Sequence, residues 1–256
     1  MDLYNMLQSG EGIEHLDNYL LDLDSEFRFK CRRCGKCCIH QETIIFNARD
    51  IFNIAQKKGM AMREVVDAYT ETYISRNSCI PIVHLLSNGP KGACPLLSAD
   101  GRCSVHDCKP TVCALFPLGR VAINRTDDQA PGEGEMPTIK YILNDHSCGS
   151  AKKVNTVRSW LAKFGIPEQD EFYLLWNKVR MSLTPAVMKL EEEKVSEPVL
   201  EMLWGVIYET LYLHYDTSQE FMPQFQVVAD KLLNLSKKIM KAEPSTGSAS
   251  FDRNGE

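Results

Sequence analysis

The chain has 256 residues, 44% of them hydrophobic and 25% charged, with a formal net charge of −5. This composition belongs to a globular chain and excludes a wholly disordered or fibrous one, while the acidic balance makes nucleic acid a poor first partner. No apolar run reaches the roughly 18 residues of a membrane span, and the acidic beginning lacks the basic-then-apolar order of a signal peptide, so a cytoplasmic protein away from the membrane is expected.

Ile13, Leu16, Leu20 and Leu23 recur at helical spacing and predict a short amphipathic helix in an N-terminal segment, residues 1–26. The text FRFKCRRCGKCCIH, residues 27–40, is too rich in cysteine and too interrupted by Gly35 for a regular element and reads as a ligand loop. A short strand, Thr43–Phe46, follows. Asn47 then has the character of a helix N-cap, with Asp50 in the first turn, Ile51, Ile54 and Ala55 on one face, and Gly59 as the stop. A second helix over about 61–74 turns Val65, Val66, Tyr69 and Tyr73 inward. Broken by proline and glycine, residues 75–120 are expected to be mostly loop with short strands.

Val121–Asn124 and Thr138–Leu143 read as two strands flanking an acidic insert, TDDQAPGEGEMP. Cysteine disappears after Cys148 and helical periodicity takes over, with helices expected near 152–164, 168–182, 197–215 and 219–241, separated at Gly165–Pro167, at Pro185 and at Thr217–Ser218. The tail, 242–256, reads as disordered. Together these give an α+β fold: a cysteine-rich metal-binding domain over 27–150 with short strands and two helices, then an all-helical C-terminal subdomain over 151–241. The aromatic side chains of that helical half, among them Trp160, Phe172, Trp176 and Tyr212, have the spacing of ordinary core.

Ten cysteines carry the chemical signal. Without a secretion signal they are read as reduced, and reduced, clustered thiols point to metal. In Cys31-x2-Cys34-x2-Cys37-Cys38, two-residue spacers let thiolates on a tight turn converge on one centre. Cys37 and Cys38 complicate this, because neighbours in an extended chain point to opposite sides; they serve two centres, or one is spare. Cys94, Cys103, Cys108 and Cys113 form a second group with no two-residue pair of its own, so it is expected to complete a site begun by the first loop.

Ligation by Cys31, Cys34, Cys37, Cys38, Cys94, Cys103, Cys113 and Cys148 suits two four-coordinate zinc sites, or an iron–sulfur cluster such as [4Fe–4S] with one mononuclear site. Spacing does not separate zinc from iron. Arg28, Lys30, Arg32, Arg33 and Lys36 supply positive charge beside the first loop. His40, His106 and His146 each lie within three residues of a cysteine and are candidate ligands, although an ordinary surface or core histidine is the commoner reading. Cys79 reads as a small buried hydrophobe, Cys108 is evenly balanced, and disulfides, including a Cys37–Cys38 bridge, are a third option.

The strings CRRCGKCC, CPLL, GRCSVH and KPTVCALFP resemble the CxxCxxCC cysteine-cluster family of zinc- or iron-chelating proteins, and NARDIFNIAQKKGMAMREVVDAY and TVRSWLAKFG are similar to its intervening and following segments. The resemblance covers about residues 27–165 and implies chelation by the same eight cysteines. The family usually has an aromatic residue where His106 stands and arginine where Lys109 stands, and Cys108 is additional. One branch of the family implies a second reading, an iron–sulfur-containing flagellin lysine N-methylase acting on a protein substrate. No glycine-rich nucleotide loop follows a strand here, so that activity rests on analogy. A third reading is a redox-sensing or adaptor protein whose helical half binds a protein partner.

Overall fold

A computed structural model describes residues 18–32, 34–39, 44–87, 92–123, 137–144 and 148–242. The helix expected over 13–23 lies outside them as far as residue 17, and Leu20–Leu21 form a strand instead, β1. Strand β2, Glu26–Lys30, buries Phe27 and Phe29 and exposes the three charged residues between and beside them. This period-two alternation makes a strand of what the cysteine content suggested was loop, and the loop proper begins at Cys31.

Helix α1, Ala48–Lys58, follows strand β3, Ile45–Phe46, and starts as expected. The Asn47 side chain accepts from the Asp50 amide at 2.9 Å, the Asp50 carboxylate accepts from the Asn47 amide at 3.1 Å, and Gly59 at φ 64° ends the helix. The helix expected over 61–74 divides: α2, Met62–Tyr69, gives way to strand β4, Thr70–Ile74. Thr70, Thr72 and Tyr73 favour extended backbone, and β4 pairs along its length with β5, Pro81–Leu85. β5 is the centre of a three-stranded antiparallel sheet ordered β3-β5-β4.

A short helix, α3 (Thr111–Leu115), leads to strand β6, Leu118–Ile123, which pairs antiparallel with β7, Thr138–Leu143; β1 lies on the far edge of β7. The acidic insert between β6 and β7 lies outside the described residues as far as 136. Residues 152–156, expected to be helical, belong to strand β8, Ser150–Thr156, paired with β2. The buried Asn155 amide donates to the Phe29 carbonyl at 2.8 Å, and helix α4, Val157–Lys163, begins only after Thr156 caps it. Helix α5, Glu171–Glu192, runs straight through the exposed Pro185 where a break was expected. The pattern over 197–215 gives helix α6, Glu197–Tyr208, widening into a π-turn at Glu209–Leu213, and α7 spans Phe221–Lys241. No helix among the described residues is long and apolar enough to cross a membrane.

The mixed α+β class holds, with the cysteines in the first part and the long helices in the second. The two parts share their cores, however. One cluster joins Ile51, Ile54, Val65 and Val83 to Phe172, Trp176, Leu211 and Phe225; the other joins Phe27, Phe29 and Tyr141 to Trp160, Leu161 and Leu174. A buried ion cluster fixes the junction. Asp170, 1% exposed at the start of α5, accepts both Arg49 guanidinium nitrogens at 3.0 and 2.7 Å and Arg120 Nη1 at 2.8 Å. Burial alone would raise the Asp170 pKa, but the two arginines outweigh it and hold the carboxyl below its ordinary range.

Candidate metal centre

Strand β2 delivers Cys31 at its end, and Gly35, at φ 70°, takes the left-handed conformation that starts the one-turn 3-10 helix Lys36–Cys38. That turn places the Cys37 and Cys38 sulfurs 3.9 Å apart on one side of the chain. The expectation of opposite directions assumed extended backbone. The separation is close to the roughly 3.8 Å between two sulfurs of a tetrahedral zinc site with Zn–S bonds of about 2.3 Å.

The second group meets the first through backbone bonds. The Cys94 amide donates to the Cys38 carbonyl at 2.8 Å, Ile39 bridges Ala93, and Leu97 bridges Cys103. Cys113 rides on α3, whose first residue is tied to α1: the Asp50 carboxylate accepts from the Thr111 amide at 2.8 Å and hydroxyl at 2.7 Å. Cys148 arrives on the turn into β8.

Two cavities result. One, of about 370 Å³, is lined by Cys31, Cys34, Cys37, Cys38, Cys103, Cys113 and Cys148; the other, of about 410 Å³, shares the last five of these and adds Cys94. All eight candidate ligands therefore border one continuous region. Cys108 lines a different cavity beside the Lys57–Asp107 ion pair, and Cys79 is buried with its carbonyl accepting from Trp204 Nε1 at 2.9 Å. No disulfide forms among the ten cysteines. As the side chains stand, no three or more His, Cys, Asp or Glu among the described residues form a set that could hold an ion, so the sulfurs share walls rather than a finished coordination shell.

Proton sharing divides the adjacent pair. Accepting a hydrogen bond from Cys38 lowers Cys37 to about 6 against the opposing effect of burial, with Lys109 assisting, while the same bond and burial drive Cys38 upward. Burial also raises Cys94, Cys113 and Cys148. A bound cation would act against burial and lower each ligating thiol, because thiolate is the ligating form.

Positive charge surrounds the first cavity. Lys30, Arg32, Arg102, Lys109, Lys153 and Lys163 line it and no carboxylate does among the described residues; His106 lines it too. Phe29, Phe116, Trp160 and Phe164 supply apolar wall, with the Lys163 ammonium 4.4 Å from the Trp160 ring centre. Lys36 lines the second cavity, Arg28 lies exposed on β2, and Arg33, His40 and His146 lie outside the described residues. Arg102, Lys109, Lys153 and Lys163 were not read as site charges, although Arg102 and Lys109 adjoin Cys103 and Cys108; the fold collects all four, Lys153 by way of a strand read as helix.

Residues 30–136 match the CxxCxxCC family model, described as "Putative zinc- or iron-chelating domain". No curated protein and no solved structure matches the chain.

Proposed function

We propose that this chain binds zinc or iron through Cys31, Cys34, Cys37, Cys38, Cys94, Cys103, Cys113 and Cys148, the ion tying the two cysteine loops together in a reducing, cytoplasmic setting. The observation that carries the reading is the sorting of the ten thiols: the eight candidates border one region, and Cys79 and Cys108 stand apart. The donor set fits, since soft thiolates suit zinc and iron–sulfur chemistry alike. A bound ion supplies positive charge that stabilises the thiolates. Lys30, Arg32 and Lys109 balance the excess negative charge that several thiolates leave, and Phe116 and Trp160 limit water. Because the thiols approach one another without completing a shell, ligation orders their side chains, and binding free energy becomes free energy of holding the loops together.

Zinc, iron and acid-labile sulfide in anaerobically purified protein test this. We expect bound zinc or iron in the parent chain, loss in Cys34→Ser and Cys37→Ser, and full retention in Cys108→Ser. Sulfide matching iron selects a cluster, and zinc alone selects mononuclear sites. A metal-free parent, or Cys34→Ser with undiminished metal, refutes the assignment. The iron–sulfur lysine N-methylase reading draws less support, because cations line the cavity beside the thiols and would repel a lysine ammonium. Binding of S-adenosylmethionine with methyl transfer to a protein lysine would revive it.

A further inference from the structure

Arg120 on β6 and Arg180 on α5 meet at a cavity of about 200 Å³ that no cysteine lines. Its walls mix apolar side chains, Phe46, Ile82 and Trp176, with the polar Asn177. Charge here is unbalanced. Asp170 already receives both Arg49 nitrogens and one nitrogen of Arg120, no carboxylate lines the cavity, and Arg180 has no ion pair among the described residues. The Nε groups of Arg120 and Arg180 are both buried with no hydrogen-bond acceptor. Buried donors normally have acceptors, so two on residues that line one cavity call for an explanation. Arg120 is held rigidly, 5% exposed, with its guanidinium 3.7 Å from the Tyr173 ring centre and its carbonyl accepting the Tyr173 hydroxyl at 3.1 Å. Two arginines on the wall of one cavity, one of them fixed, suit planar or tetrahedral oxyanions, since each fork offers paired N–H groups.

We propose that this cavity is a binding site for a small oxyanion, a carboxylate or a phosphate, held between Arg120 and Arg180. Apolar walls suit a carboxylate with a compact hydrocarbon body. The site is independent of the metal reading, because none of its residues is a candidate ligand.

The test is titration of the full chain, with its native metal content, against sodium benzoate and inorganic phosphate, using sodium chloride at matched ionic strength as the control and reading heat of binding and melting temperature. Saturable binding by either oxyanion above chloride is expected, with affinity about tenfold lower in Arg180→Gln and between the two in Arg180→Lys, which keeps the charge and loses the fork. Both variants should melt cooperatively without ligand and hold as much metal as the parent. Preference for benzoate identifies a carboxylate ligand, and preference for phosphate a phosphoryl one. Responses no greater than chloride, or Arg180→Gln binding as the parent does, overturn the proposal.

Discussion

At Gly149 a single hydrogen atom decides whether a thiol is delivered. The residue sits at φ 77°, and a methyl group there would lie 2.3 Å from Cε2 of Phe29. Phe29 cannot retreat easily, being 2% exposed and packed edge-on against Phe116 and Trp160 at 5.8 and 5.7 Å. Gly149→Ala should therefore cost about 1–3 kcal/mol through backbone strain and overpacking, read as a lower urea midpoint, and should weaken metal retention by moving Cys148. In a double-mutant cycle with Phe29→Leu, which makes room, the pair should cost less than the sum of the two singles; strict additivity would show that the clash is relieved elsewhere. The sequence marks Cys148 as a candidate and is silent on Gly149, whose constraint comes from a ring on a distant strand. Candidate ligands were legible because spacing of thiols along the chain is itself chemical information. Of the cations around them, Lys30, Arg32 and Lys36 were legible beside the first loop, whereas Lys153 and Lys163, brought in from β8 and α4, were not.

Elements were legible where their determinants are local. Asn47, Asp50 and Gly59 specify both ends of α1 within its own sequence. β8 has no alternation to read, Asn155 being its one buried residue, and it exists because β2 offers a partner. Nor does any local pattern announce the Arg49–Asp170–Arg120 cluster that joins α1, β6 and α5. Asp170→Asn would leave two largely buried guanidiniums with no carboxylate, at a cost of about 3–5 kcal/mol. The pH dependence has a definite sign. The Asp170 pKa is held below its unfolded value, so its stabilising effect is present above the ordinary carboxylate range and is lost as pH falls through the folded pKa. Asp50 acts in the opposite direction, because burial raises its pKa and folding then favours its protonated form. Urea denaturation at pH 5, 4 and 3, across the range in which the folded carboxyl takes up its proton, should find the parent losing more stability on acidification than Asp170→Asn. Parallel curves for the two proteins would remove the ion cluster from the account of stability.

At the scale of the whole molecule, the change in composition after Cys148 does not coincide with a change of core. Helix α5 sends Phe172 and Trp176 into the cluster built around α1 and β5, and Leu174 into the one under β2. Ile207, Leu211, Tyr212 and Phe225 add to the first, each with essentially no exposure. Each such side chain contributes about 1.5–3 kcal/mol by leaving water, so the group contributes on the order of 10 kcal/mol, comparable to the whole stability of a typical domain, about 5–15 kcal/mol. The cysteine-rich part thus rests on helices that hold none of its candidate ligands. A chain ending at Thr156 keeps every cysteine and β8 but loses this support. Stripped of metal, it should show no cooperative thermal transition, whereas the full chain stripped the same way should keep one. Structural zinc releases apparent binding free energies of about 10–16 kcal/mol in small domains, a magnitude similar to what the helices provide, so adding zinc should restore part of the transition to the short chain. A metal-free short chain that melts cooperatively would mean that the cysteine-rich part carries a sufficient core of its own, and that the shared clusters are contact between two independent folding units.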